Sequence, residues 1–241
     1  MPVLRVAVAF VSGLLVGAAM RPMVFARSVP RGEPLRTACP ACGAVLLPSA
    51  GGILQLVRGR CGSCRERIPP APGVSEVLTA VVFASLAASG MTGWTAAAHY
   101  WLAACGAALV MIDIAVHRLP DVLTLPASAG TLVLLSGAAL GGEPGSLPRA
   151  LAAAAVLGGV YLLLVAGGMG MGDVKLAPAV GALLGWHSWS AVILGTFAGF
   201  ALAAVFSVVL LATRRATRKD HVAFGPFLLG GALVISALLS G

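Results

Sequence analysis

The sequence predicts an all-α, polytopic membrane protein of about eight transmembrane helices with one small cytoplasmic loop. Of its 241 residues, 59% are hydrophobic and 10% are charged, whereas a soluble domain has about 25% charged residues. The apolar runs are continuous and rich in Ala, Leu, Val and Gly. A transmembrane barrel instead needs short alternating segments, so the runs indicate helices packed closely in lipid.

Eight apolar runs account for the predicted spans, each of which needs about 20 residues, or fewer where protein shields it. They lie at 3–25, 74–90, 94–112, 122–140, 150–168, 174–187, 188–212 and 222–240. The run 174–187 is short and interrupted by Pro178, Gly181 and Gly185, so we expect a re-entrant or tilted element, or a helix protected by its neighbours. The chain thus divides into a first helix (1–25), a polar loop (26–73) and a membrane-embedded core (74–241).

The basic residues orient these spans. With the polar loop 26–73 inside and Arg21 counted with it, the inner segments hold fourteen of the sixteen Lys and Arg, and only Arg5 and Arg149 fall outside. This asymmetry follows the positive-inside rule and favours cytoplasmic loops over a nucleic-acid site, so we expect no nucleic-acid partner. The positive charges follow the first run, which favours a retained span over a cleaved signal peptide. The last inner loop carries a second basic cluster: Arg214, Arg215, Arg218 and Lys219.

Acidic residues are rare, and two of them stand out. Asp113 and Asp173 abut apolar runs at the ends of the third and fifth segments, which the topology places at the same cytoplasmic edge. An acid in hydrocarbon costs about 2.5–3.5 kcal/mol on insertion scales, so it calls for a function or a partner. Several glycines precede Asp173, including Gly170 and Gly172. Because they have no side chain, a substrate strand could approach the backbone closely there. Lys175, two residues after Asp173, could extend its side chain to the membrane interface.

Two facing carboxylates suggest one chemistry, with a structural alternative. If they share a proton, the ionised one can activate water while the protonated one polarises a carbonyl, as in aspartic proteases. The alternative is that each acid only caps a helix at the membrane interface. Among the other acids, Glu33, Glu66, Glu143 and Asp220 are expected to be ordinary solvated charges. The four scattered histidines are expected at the interface: His99, His117, His187 and His221. A catalytic role stays open for His117 alone, because it lies between the two acids Asp113 and Asp121.

Four cysteines in the polar loop form two C-x-x-C pairs, namely Cys39, Cys42, Cys61 and Cys64. This spacing matches sites in which four thiolates bind zinc, and a cytoplasmic location disfavours disulfides. With four protein ligands the site would be closed, so the predicted zinc is structural, and it would stabilise a loop with few large apolar residues. Free thiols are the alternative. Cys105 lies in an apolar run and is expected to be a packing residue.

The motifs together resemble the type IV prepilin peptidases, bacterial membrane aspartic proteases of the GxGD type. The matching stretches are RTACPACGAVL, RGRCGSCRERI, VSEVLTAVVF, MIDIAVHRLPDVLTLP, GMGMGDVKLA and HVAFGPFLLGGAL. They occur in the family's order across nearly the whole chain. The resemblance implies a prepilin peptidase in the bacterial inner membrane whose active site faces the cytoplasm. Its catalytic aspartates would be Asp113 and Asp173, supported by Asp121, Gly170, Gly172 and Lys175.

The family's substrates are prepilins or pilin-like secretion subunits, whose short basic leader is removed on the cytoplasmic side. Many members also methylate the new N-terminus from S-adenosylmethionine, which is implied here only if that activity is present. This sequence departs from the family at GAAMRPMVFARSVP, at the Gly-rich PSAGGILQLV and at Ala115, where an acid is common. The first two departures lie in the part linked to methyl transfer, so we expect leader cleavage to persist where methylation does not.

Two other classes of protein fit the sequence. A transporter or proton channel could use the two aspartates as a relay, and an inverted repeat would favour it. A structural membrane subunit could use the cysteine loop for docking. No motif predicts a particular oligomeric state.

Overall fold

The computed structural model describes residues 2–214 and 222–239. Within these ranges there is no β-strand, and nine α-helices and one 3₁₀ turn are present. The α-helices are α1 (Pro2–Arg27), α2 (Ala50–Arg58), α3 (Val74–Ala88), α4 (Gly93–Val116), α5 (Asp121–Leu140), α6 (Leu147–Leu164), α7 (Met171–His187), α8 (Trp189–Ala212) and α9 (Gly225–Leu239). The 3₁₀ turn Val165–Gly167 follows α6. The described residues do not include Asp220, His221 or most of the second basic cluster, namely Arg215, Arg218 and Lys219.

The all-α prediction is confirmed, and each of the eight predicted runs coincides with one helix. Among the helices of the described ranges, only α2 lies outside these runs, in the cysteine loop. Five of the described segments are long and apolar enough to cross a bilayer: α1, α4, α5, α6 with its 3₁₀ turn, and α8. Helices α3 and α9 are apolar but shorter. The count of eight spans therefore stays a prediction.

Helix α7 lies inside the bundle, packed against α5, α6, α8 and α9. Its residues from Leu176 to Trp186 are almost all buried. A Cβ atom on Gly181 would lie 2.6 Å from the Ala153 carbonyl oxygen, and one on Gly185 would lie 2.4 Å from Ala153 Cβ. These glycines let α6 approach closely. The run 174–187 was expected to be either a re-entrant or tilted element or a helix protected by its neighbours. The structure shows the protected helix.

Small residues also join α1 to α3. A Cβ atom on Gly13 would lie 2.5 Å from Ala80 Cα, and one on Gly17 would lie 2.5 Å from the Ser75 carbonyl oxygen. The four-residue spacing places both glycines on one face of α1, as in other close helix pairs in membranes. The pairing brings the C-terminal end of α1 beside the start of α3.

Arg21 of α1 holds the cysteine loop against this helix pair. Its side chain is 1% exposed, and it donates to the carbonyls of Leu56 (2.9 Å), Pro70 (2.8 Å) and Ala71 (3.3 Å). Its Nη1 also lies 3.2 Å from Glu76 Oε1. A buried arginine is tolerated only when such partners satisfy its charge and its donors. Arg21 therefore ties the loop to α1 and α3.

Two polar residues differ from expectation at the opposite end of the bundle. Glu143 is not a free solvated charge, because its carboxylate accepts from the backbone N–H groups of Trp94 (2.6 Å) and Thr95 (2.9 Å) at the start of α4. Partial burial acts to raise the pKa of Glu143, but these hydrogen bonds outweigh it and lower the pKa. His99 is fully buried rather than interfacial, with Nδ1 2.7 Å from the Thr95 carbonyl oxygen.

Candidate active site and metal centre

Asp113 lies in the last turn of α4, and its side chain is buried. One carboxylate oxygen, Oδ2, accepts a 3.1 Å hydrogen bond from the backbone N–H of Gly225, the first residue of α9. Helix α4 ends at Val116, and His117 caps it with a left-handed φ of 50°. The backbone N–H of His117 donates to the Asp113 carbonyl oxygen at 2.8 Å. The chain therefore leaves the helix one turn after Asp113.

Asp173 lies in the first turn of α7, three helices along the chain from Asp113. Its side chain is also buried, and Oδ1 has no hydrogen-bond partner among the described residues. Asp173 lines the same cavity as Asp113. Two buried carboxyl groups at one cavity favour the state in which they share a single proton. The ionised group can then act as a base and the protonated group as an acid.

Gly172 explains how the two aspartates reach the same place. A Cβ atom on Gly172 would lie 2.7 Å from Leu119 Cβ, closer than side-chain atoms approach. Leu119 belongs to the turn between α4 and α5, and it is buried. The glycine therefore lets this turn pack directly on the first turn of α7, which brings the end of α4 beside the start of α7.

Both aspartates line one cavity of about 490 Å³. The sequence-predicted supporting residues line it as well: Asp121, Gly170, Gly172 and Lys175. Lys175 does not extend alone to the interface, because its Nζ lies 2.5 Å from Asp121 Oδ1. This ion pair links the starts of α5 and α7, and the lysine charge is directed to Asp121 rather than to the aspartate pair.

The helix-cap alternative does not describe either aspartate. The N-cap of α7 is Gly170, three residues before Asp173. Asp113 lies inside α4, and His117 is its C-cap. Both acids lie in terminal turns of their helices, and burial beside a shared cavity is what distinguishes them.

Sequence reasoning missed several residues of the cavity and its surroundings. Gly225 binds Asp113 through its backbone, and only its place in the FGPF stretch could have drawn attention to it. Arg27, Arg31 and Arg118 line the cavity. Topology placed these arginines on the same face as the aspartates, but nothing in the sequence indicates that they share one cavity.

The four loop cysteines form a compact cluster, with all four sulfur atoms within 4.8 Å of one another. The Cys39 and Cys64 sulfurs are 3.8 Å apart, and those of Cys42 and Cys61 are 3.7 Å apart. A tetrahedral zinc site with Zn–S bonds of about 2.3 Å requires sulfurs about 3.8 Å apart. The cluster can therefore hold a metal ion, and its dimensions and ligand type fit zinc.

Two similar turns build this cluster. In each, the first cysteine exchanges backbone hydrogen bonds with residues after the second: Cys39 with Gly43 and Ala44, and Cys61 with Arg65 and Glu66. The residue after each pair, Gly43 or Arg65, has a left-handed φ. The repeated turn brings the two cysteines of each pair to the same side of the loop.

The thiols differ in acidity. Backbone N–H groups of Cys64 and Ser63 lower the pKa of Cys61 to about 6. At Cys64 the backbone N–H of Glu66 acts in the same direction, but the neighbouring thiols outweigh it and raise the pKa to about 12. Four thiols this close together cannot all ionise unless a cation compensates their charge, and a bound metal would supply that cation.

Comparisons with known proteins identify a family and several relatives. The profile described as the type IV leader peptidase family matches residues 100–212, a range that contains both aspartates. The chain is 34% identical over 178 residues to the prepilin leader peptidase/N-methyltransferase of Aeromonas salmonicida strain A449, covering 71% of this chain and 60% of the relative. It is 36% identical over 214 residues to the protein of that name from Burkholderia pseudomallei strain 1026b, covering 81% and 65%.

A third relative is matched over more of its length. The prepilin leader peptidase/N-methyltransferase of Pseudomonas aeruginosa strain PAO1 is 31% identical over 209 residues, which cover 80% of this chain and 68% of the relative. The matches span 60% of the length of the first relative. No solved structure matches the chain significantly. On the profile and these identities, the chain belongs to the type IV leader peptidase family.

Proposed function

We propose that this protein is a prepilin peptidase in which Asp113 and Asp173 activate water. The observation that carries the proposal is the burial of both carboxylates beside one cavity. Family membership supports it, and so do the names of the relatives.

The chemistry needs only the two side chains and a water molecule. One carboxylate removes a proton from the water, which attacks the carbonyl carbon of the scissile peptide bond. The other carboxyl donates its proton to the carbonyl oxygen, and collapse of the tetrahedral intermediate expels the amine, which takes up a proton. The Gly225 hydrogen bond to Asp113 Oδ2 leaves Oδ1 of that residue as the oxygen available for water.

The substrates would be prepilins or pilin-like secretion subunits with a short leader and an apolar helix. Arg27, Arg31 and Arg118 place the cavity at the basic end of the bundle, and basic loops favour the cytoplasmic side. Cleavage would therefore occur on the cytoplasmic side of the bacterial inner membrane. The chain is a multi-pass protein, and its apolar substrate helix would lie in the bilayer beside it.

The cysteine loop (26–73) would be a structural zinc module, and residues 74–241 would carry the peptidase dyad. The sulfur spacing supports zinc. S-adenosylmethionine would be a cofactor only if the methyltransferase activity named for the relatives is present here. The Gly-rich stretch that departs from the family forms α2, whose buried side includes only Gly52 and Leu56. This short helix has no aromatic side chain on which an adenine ring could stack.

A transporter or proton channel is not favoured. The relatives are named as peptidases, and the two aspartates face a cavity at one end of the bundle.

The test is incubation of the purified protein with a prepilin, followed by mass spectrometry of the product. We expect a single cut at the end of the basic leader and a new N-terminus without a methyl group. An intact prepilin would refute the peptidase. Stoichiometric methylation in the presence of S-adenosylmethionine would refute only the expectation about methyl transfer.

A further inference from the structure

Arg118 connects the catalytic turn to the segment that follows α1. It lies in the turn between α4 and α5, five residues after Asp113. Its Nη1 donates to the carbonyl oxygens of Val29 and Pro30, both at 3.0 Å. Hydrogen bonds from a charged donor are roughly twice as strong as neutral ones. No carboxylate pairs with Arg118 among the described residues, so the two carbonyls are its partners.

The segment that Arg118 holds is an ordered wall of the cavity. Arg27 and Arg31, on either side of the bonded carbonyls, both line the cavity with the aspartates. Val29 is buried. Arg36 reinforces the segment, because its side chain donates to the Ser28 carbonyl (3.1 Å) and its backbone N–H to the Ala26 carbonyl (2.9 Å).

This wall comes from a distant part of the chain, since 89 residues separate Arg118 from Val29. Resting on the proposed peptidase function, we propose that Arg118 is a positioning residue that holds segment 27–31 over the cavity as a wall of the substrate site. The cavity therefore depends on the N-terminal part of the protein as well as on the core that carries the aspartates. A peptide substrate would bind between this wall and the first turn of α7.

Loss of the two hydrogen bonds should loosen the wall and weaken substrate binding while the aspartates stay in place. The test compares the variants Arg118→Gln and Arg118→Lys with the wild-type protein, all purified in detergent. In Arg118→Gln we expect KM for a prepilin to rise about tenfold, while kcat stays within about threefold of the wild-type value. Displacement of the wall weakens substrate binding, whereas the aspartates that carry out the reaction keep their places. Arg118→Lys keeps a cationic donor and should restore part of the loss. Hydrogen–deuterium exchange of residues 28–32 should become faster in Arg118→Gln.

Arg5→Gln is the matched control. Arg5 also donates from its side chain to a carbonyl, that of Gly90 at 3.4 Å, but it does not line the cavity. This variant should keep the wild-type KM and the exchange rate of residues 28–32. Unchanged exchange in Arg118→Gln would overturn the proposal, as would a loss confined to kcat. If the wild-type protein cleaves no prepilin, the peptidase function fails, and the exchange measurement still tests the contact.

Discussion

The backbone N–H of Gly225 donates to Asp113 Oδ2 across 3.1 Å, although 112 residues separate the two in sequence. The contact joins the start of α9 to the end of α4. It fixes one carboxylate oxygen and leaves the other for the cavity. A Cβ atom at this position would lie 2.9 Å from the same Oδ2, so a side chain there would displace the carboxylate.

Substituting this glycine should therefore impair catalysis. We expect Gly225→Ala to lower kcat/KM for prepilin cleavage about tenfold or more, since displacement of a reacting group by about 1 Å is costly. Steady-state kinetics measure the effect. Gly230→Ala, on the same helix, is the control, because a Cβ atom there meets nothing within 4 Å. Equal activity in the two variants would contradict the role assigned to Gly225.

Gly172 should be equally intolerant, for a different reason. In Gly172→Ala the new methyl group would meet Leu119 and push the α4–α5 turn away from α7. We expect a large loss of cleavage activity, partly restored by adding Leu119→Gly, which removes the obstructing Cβ atom together with the rest of the side chain. Gly159→Ala has open space around it and should stay active. If Leu119→Gly gives no recovery in the double variant, the steric account is wrong.

The cysteine cluster should bind one zinc ion per chain. Metal analysis of the purified protein should find that stoichiometry, and Cys39→Ser or Cys61→Ser should abolish it. Cys105→Ser is the control, because Cys105 is buried in α4, outside the cluster, and zinc content should not change. Metal-free protein with four titratable loop thiols in its native state would exclude the zinc site.

Arg21 should be important for stability. Removing one partner of a buried ion pair costs about 3–5 kcal/mol, and Arg21→Met would also leave three loop carbonyls without their donor. We expect a clearly lower melting temperature in detergent and easier proteolysis within the cysteine loop. Arg5→Met, at an exposed site, should melt like the wild type. A wild-type melting curve for Arg21→Met would show that the loop is held by other contacts.

The sequence predicted the helices, and the residues that line one cavity, better than it predicted the contacts between distant parts of the chain. Continuous apolar runs define helices directly, because a bilayer tolerates few other structures. Positive-inside asymmetry placed Asp113 and Asp173 on one face, and the structure brings both to one cavity. The C-x-x-C spacing was also sufficient to anticipate the sulfur cluster.

Long-range contacts were beyond the sequence patterns. Arg21 and Arg118 resemble any other basic residues of an inner loop, and only folding shows that each binds distant carbonyls. Gly225 acts through its backbone N–H, which every residue except proline has. Glu143 was expected to be solvated because it lies in a short polar loop, but the fold brings it to the start of α4.

Cleavage by aspartate variants tests the central claim most directly. Asp113→Asn and Asp173→Asn keep the size of each side chain but remove its ability to exchange a proton. Prepilin cleavage should be abolished in both, with zinc content and membrane insertion unchanged. Asp121→Asn is the matched control, since Asp121 lines the same cavity but pairs with Lys175, and it should keep measurable activity. Turnover by either Asp113→Asn or Asp173→Asn would contradict the account.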